Sequence, residues 1–278
     1  MPDTTGQRES QGATPDLLHG PAFRIDATLK SSVVILRKNF PAFMALAVLF
    51  SGPMALNDVH NLLKTLQGDA TYTGFASSLY RGLLDWLFKY FLIGVLAYRV
   101  FLDLEGRDSK LGDTLKQALA RALPLLGLGI AYGGMVLIPA FVILVFPQLY
   151  LAFFILIIPS AHAAVIFFAV MPIAVIEEAG PLQCLGGSAA LTKGFRWQVS
   201  GLIMVVILLH TVWSVLTKLL FEFVVIDLDA VYWTAFAATY ILNTAITAYF
   251  AVVVTVGYHG LRLAKGGLDK PPPGMVHD

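Results

Sequence analysis

Charge is scarce in this chain. Only 13% of its 278 residues are Asp, Glu, Lys or Arg, where a soluble domain carries about a quarter. So little polar sequence remains outside the apolar runs that no sizeable soluble domain can be built from it. Cysteine is scarcer still. The single Cys184 excludes an intrachain disulfide, a multi-cysteine zinc site and a thiol redox pair. Charge of one sign is also missing in excess, since the formal net charge is +1, and a nucleic-acid partner calls for a basic patch. Gly186-Gly187-Ser188 lacks the Lys-Ser/Thr context of a nucleotide-binding loop. No nucleophile–base pair can be assembled from spacing, so the expectation is a non-enzymatic protein with no catalytic residue, metal or cofactor.

What is present is apolar sequence, 57% of the chain. Helical spans need about 20 apolar residues to cross the hydrocarbon. Six such stretches are expected, at about 40–57, 83–104, 124–146, 149–176, 198–220 and 232–258. The fold class is therefore all-α, an integral membrane bundle of six transmembrane helices occupying residues 23–265. Polar tails at 1–22 and 266–278 complete the organisation; the first has no apolar core of a cleavable signal peptide. Pro159 and Pro172 interrupt the backbone hydrogen bonding of the fourth span, and neighbouring side chains must satisfy the freed groups.

Two segments with helical spacing of apolar residues, Phe23 to Asn39 and Leu111 to Leu123, are expected to lie in the interface, with Arg37, Lys38, Lys116 and Arg121 against lipid headgroups. A third lies in the elbow between spans four and five. There Glu177 and Glu178 precede a Gly180-Pro181 turn, with Pro181 at the first helical position. The two acids suit the positive end of the helix dipole; Lys193 and Gly194 fit its far end, and Arg196 and Trp197 mark the interface. With the N-terminus inside, Lys and Arg concentrate on the cytoplasmic side. Both termini are then cytoplasmic and the protein sits in the cytoplasmic (inner) membrane.

Polar residues within the spans admit two readings. His162, His210 and Asn243, near the middles of spans four, five and six, either line an interhelical path for a ligand or hydrogen-bond across helices. Asp85 and Lys89, four apart on one face of span two, either form a coupled ion site or neutralise each other. The first function expected is organisation of membrane lipids, or of other membrane proteins, through the interfacial helices. The alternative is a small transporter or channel with a polar midplane site.

Pro172, Val175, Glu178, Gly180 and Pro181, followed by Leu191-Thr192-Lys193-Gly194 and Arg196-Trp197, form a pattern that resembles the membrane domain of glycerophosphoryl diester phosphodiesterases and related prokaryotic multi-span proteins. The resemblance extends back to Leu111-Gly112-Asp113-Thr114-Leu115 and Leu123-Pro124-Leu125-Leu126. It extends forward to Tyr258-His259-Gly260-Leu261-Arg262 and Gly267-Leu268-Asp269, covering roughly residues 25 to 269. It implies a six-helix membrane unit with amphipathic cytoplasmic elbows. In members that hydrolyse glycerophosphodiesters the chemistry belongs to an attached metal-dependent soluble domain, which is not expected here, so that activity is not carried over.

Overall fold

Long apolar runs with few breakers can satisfy their backbone polar groups in a membrane only as helices or closed barrels, and among the described residues they are helices. In the computed structural model, residues 23–66, 75–107, 111–122, 124–131, 150–224 and 229–266 are described, and no strand occurs among them. In chain order the helices are α1 (Ile25–Lys38), α2 (Phe40–Leu66), α3 (Phe75–Leu104), α4 (Leu111–Ala120), α5 (Tyr150–Ile166), α6 (Val170–Ile176), α7 (Pro181–Thr192), α8 (Arg196–Val224) and α9 (Asp229–Ala264). A further helical stretch covers 124–131. Among the described residues, four segments are long and apolar enough to cross a membrane: Phe40–His60, Ile157–Ile176, Arg196–Leu219 and Phe236–Ala264. They mark a multi-pass helical membrane protein. Most of the expected third span, 132–146, lies outside the described residues.

α9 packs against α1, α2, α3, α6, α7 and α8, and α3 packs against α2, α4, α6 and α9. The 30 residues of α3 reach about 45 Å at 1.5 Å per residue, ample for a crossing. Charges at Arg81, Asp85, Lys89, Arg99 and Asp103 distinguish it from the four apolar segments. Around it, one buried cluster gathers Leu125, Ile173, Leu202 and Tyr258, and a second gathers Phe43, Leu96 and Val252. α2 runs on to Leu66, past the expected end of the first span at about residue 57.

α1 does not pack the way apolar periodicity predicts. Its buried face is Ala27, Thr28, Ser31, Ser32 and Ile35, and it lies on α9 and α8. Small hydroxyl residues let two helices approach closely where lipid gives apolar side chains no reason to turn inward. Thr28 and Ser32 donate to their own backbone, at Arg24 O (2.9 Å) and Thr28 O (2.7 Å). Val33 and Val34 consequently face outward.

The expected fourth span is broken at 167–169, dividing α5 from α6. The break sits just before Pro172, whose ring would clash with the carbonyl of Phe168, four residues earlier, in a continuous helix. α7 straps the gap. The Ser188 hydroxyl donates to Ile166 O at 2.8 Å and accepts the Ala169 N–H at 3.0 Å. The Thr192 hydroxyl reaches Ile166 O at 3.3 Å. At Gly257, α9 passes so close that an added Cβ would lie 2.9 Å from the Phe168 ring.

Because Ser188 is fully buried, Ser188→Ala would strand the Ala169 N–H and leave Ile166 O with the Thr192 hydroxyl as its side-chain donor, at about 1–3 kcal/mol. The thermal midpoint of the protein in detergent should fall by several degrees. Leu182→Ala, at a site 83% exposed, should leave it in place. Equal midpoints for Ser188→Ala and the unaltered chain would show that the strap contributes nothing.

Candidate functional site

Among the described residues, two places bring polar side chains together: the elbow after α6, and a cavity toward the opposite end of the bundle. At the elbow, the chain leaves α6 at Glu177 and turns through Glu178, which adopts a left-handed φ of 55°. Non-glycine residues seldom hold that conformation unless their surroundings fix it. Gly180, at φ −70°, then precedes α7 with Pro181 at the first helical position. Gln183 Oε1 accepts the Gly180 N–H at 3.1 Å. At the far end Lys193 caps α7 and Gly194 takes φ 94°, a conformation that favours glycine.

The dipole of α7 is the lesser part of why two acids stand here. Glu177 Oε1 accepts hydrogen bonds from the Tyr258 hydroxyl and from Arg262 Nη1, the latter at 2.7 Å. Arg262 Nη1 also lies 3.0 Å from the Tyr258 oxygen. The Glu177 and Arg262 side chains are each only 8% exposed. Burial pushes the Glu177 carboxyl above its usual range, opposed by the Tyr258 hydrogen bond and the Arg262 charge. Glu178 serves another element: Arg121, just past α4, pairs with its carboxylate, and Gln117 Nε2 donates to Oε1 at 2.8 Å. Consecutive acids thus bind two helices remote in sequence.

Other contacts close the same end. Lys38 Nζ and Asn39 Nδ2 donate to Asp103 at 2.7 and 3.2 Å, joining the α1–α2 corner to α3. Phe23 meets Phe195 edge-on at 6.2 Å, and Lys265 lies 5.8 Å from the Phe195 ring. Of the four headgroup candidates, Lys38 and Arg121 therefore have partners within the protein, while Arg37 and Lys116 are exposed. Lys193, Arg196 and Trp197 are also exposed, Trp197 at 89%.

The cavity, about 370 Å³, opens between α2, α3 and α9. Asp58, Asp85, Lys89 and Asn243 all line it, with the hydroxyls of Ser51, Tyr240, Thr244 and Thr247. Asp85 and Lys89 form a 2.7 Å ion pair. Tyr240 donates to Ser51 Oγ at 2.9 Å, and Trp213 Nε1 donates to Asn243 Oδ1 at 3.1 Å. His162 and His210 do not join this group; both are exposed on their helices. Among the described residues no three His, Cys, Asp or Glu side chains assemble into a group that could hold a metal.

Cys184 reports on the elbow. Its fully buried thiol donates to Ala179 O at 3.4 Å, and burial, with the Glu177 charge, pushes its pKa up to about 12. Near pH 8 neither the thiolate nor access favours reaction. Maleimide should label native Cys184 slowly and the unfolded chain rapidly, with Glu178→Ala raising the native rate by about tenfold or more as one tie is lost. Rapid labelling of the unaltered protein would contradict a docked elbow.

Compared with protein-family models, curated proteins and solved structures, the chain matches none.

Proposed function

We propose that this protein is a non-enzymatic, six-span scaffold of the cytoplasmic membrane that organises anionic lipids around the elbow end of its bundle. The observation that carries the reading is a stripe on α1. Lys30, Val33, Val34 and Arg37 fall at positions i, i+3, i+4 and i+7 and all are exposed. Two valines between two cations suit the acyl–headgroup boundary, where long basic side chains extend to phosphates. Leu119 beside Lys116, and Trp197 beside Arg196, repeat that pairing on α4 and at the start of α8. The clasps at Glu177, Glu178 and Asp103 hold these segments at one level.

The orientation proposed follows the distribution of basic residues, with both termini cytoplasmic. In this reading α3 and the third apolar run complete the six spans. The resemblance to the phosphodiesterase membrane domain agrees with the reading, because it implies amphipathic elbows on the cytoplasmic side and no hydrolytic chemistry of their own.

Each basic residue near an anionic surface contributes on the order of 1 kcal/mol. Extracted from its membrane in polymer discs, the unaltered protein should carry more anionic lipid than the bulk bilayer. The combination Lys30→Gln, Arg37→Gln, Lys116→Gln and Arg196→Gln should return the discs to bulk composition. Equal lipid composition in the two preparations would refute the proposed role.

A further inference from the structure

The cavity at the other end has a composition that selects a ligand. Its charged wall on α3 is a matched pair, Asp85 and Lys89, held at 2.7 Å. Both side chains are nearly half exposed, at 41% and 48%, so they meet the cavity contents rather than packed protein. Ionisable groups at membrane depth are tolerated where they face a hydrated or occupied cavity. Counting along α3 at 1.5 Å per residue, Lys89 and Asp85 lie about 22 and 28 Å from Leu104. The hydrocarbon is about 30 Å thick. If the elbow end lies at one headgroup level, the cavity therefore lies near the inner boundary of the opposite headgroup layer.

Asp58 of α2 also lines the cavity and has a partner of its own within the protein, and the internal hydrogen bonds leave the following groups for a guest. The Ser51 hydroxyl is fully used, donating to Ala47 O and accepting from Tyr240, with Thr244 Oγ1 also 3.4 Å away. Thr247 donates to Asn243 O at 3.0 Å, and Asn243 Oδ1 is taken by Trp213. Donors remain at Lys89 Nζ and Asn243 Nδ2; acceptors remain at Asp85 and on the oxygens of Tyr240 and Thr247. An anion alone would find Asp85 beside Lys89, and a cation alone would find Lys89 beside Asp85. Either would also add net charge beside a pair that is neutral by itself, at a cost in free energy.

We propose that the cavity binds a zwitterionic ammonium–phosphate group, its ammonium on Asp85 and its phosphate on Lys89 and Asn243. Such a group sets its dipole against the ion pair, so the four charges alternate and no net charge enters. Two sources have this chemistry: a phosphatidylethanolamine headgroup from the opposite leaflet, and a soluble phosphoethanolamine. The site is separate from the α1 stripe, resting on the same membrane-embedded reading but on none of its basic residues.

The test is equilibrium binding to the delipidated full-length protein in non-ionic detergent. The probes are dihexanoyl phosphatidylethanolamine, dihexanoyl phosphatidylglycerol and O-phosphoethanolamine. The ethanolamine lipid should bind about tenfold or more tightly than the glycerol lipid, the scale of one charge-assisted hydrogen bond. Asp85→Asn with Lys89→Gln should abolish that preference, while Lys30→Gln with Arg37→Gln should retain it. Slow maleimide labelling of Cys184 verifies that each variant is folded. The swap Asp85→Lys with Lys89→Asp keeps an ion pair but reverses its dipole, and should weaken binding of the tail-tethered headgroup. Competition by O-phosphoethanolamine would identify the soluble zwitterion as sufficient; ethanolamine-lipid binding without that competition would identify the lipid. Equal affinity for the two lipids, or a preference that survives neutralising the pair, would overturn the proposal.

Discussion

A single buried carboxylate governs the arrangement of this bundle. Glu177 sits where α6 ends, and its Oε1 is held by Tyr258 and Arg262 of α9, residues 81 and 85 positions further on. Taking an acid and a guanidinium out of water costs several kcal/mol for each ion, and only close pairing with extra hydrogen bonds offsets that. An elbow displaced by one turn would strand both charges in the core. The pair therefore selects one seating of α6 against α9 far more strongly than apolar contacts do, because apolar contacts in lipid have many near-equivalent registers.

The rest of the elbow end follows from that seating. With α6 fixed, α7 lies across the break at 167–169, where Ser188 and Thr192 satisfy what Pro172 has disrupted. Glu178, held at φ 55°, is then placed for Arg121 and Gln117, which brings in α4. α1 completes the level by laying its hydroxyl face on α9 and turning its valines and cations outward. The opposite end has another character. There α2, α3 and α9 leave a cavity with an ion pair on its wall. One end is closed by charges in contact with each other, and the other presents charges to a guest.

Much of the architecture was legible because apolar runs of span length and their proline breakers are local signals. The break near Pro172, the placement of Pro181 at the start of α7 and the left-handed Gly194 are local in the same sense. The buried face of α1 was not legible from periodicity: in lipid the outward face is apolar, so the stripe that would mark a core in water marks the exterior. Glu177 and Glu178 invited a dipole explanation because their partners are 57 to 85 residues away. A usable signal did exist, in Tyr258 and Arg262 spaced four apart on the helix that ends at the same level. Asp85 and Asn243 converge because α3 and α9 are neighbours, whereas His162 and His210 share only a nominal depth with them.

The most direct measurement of the central claim is a double-mutant cycle on Glu177 and Arg262, read as unfolding free energy in mixed micelles. Removing one partner leaves the other charge buried, so Glu177→Leu and Arg262→Met should each cost about 3–5 kcal/mol. The double replacement, which leaves no charge stranded, should cost well below their sum, with a coupling of about 2 kcal/mol or more. Losses that add, within about 0.5 kcal/mol, would contradict the account, because they would mean that the two side chains are not clasped to each other in the folded protein.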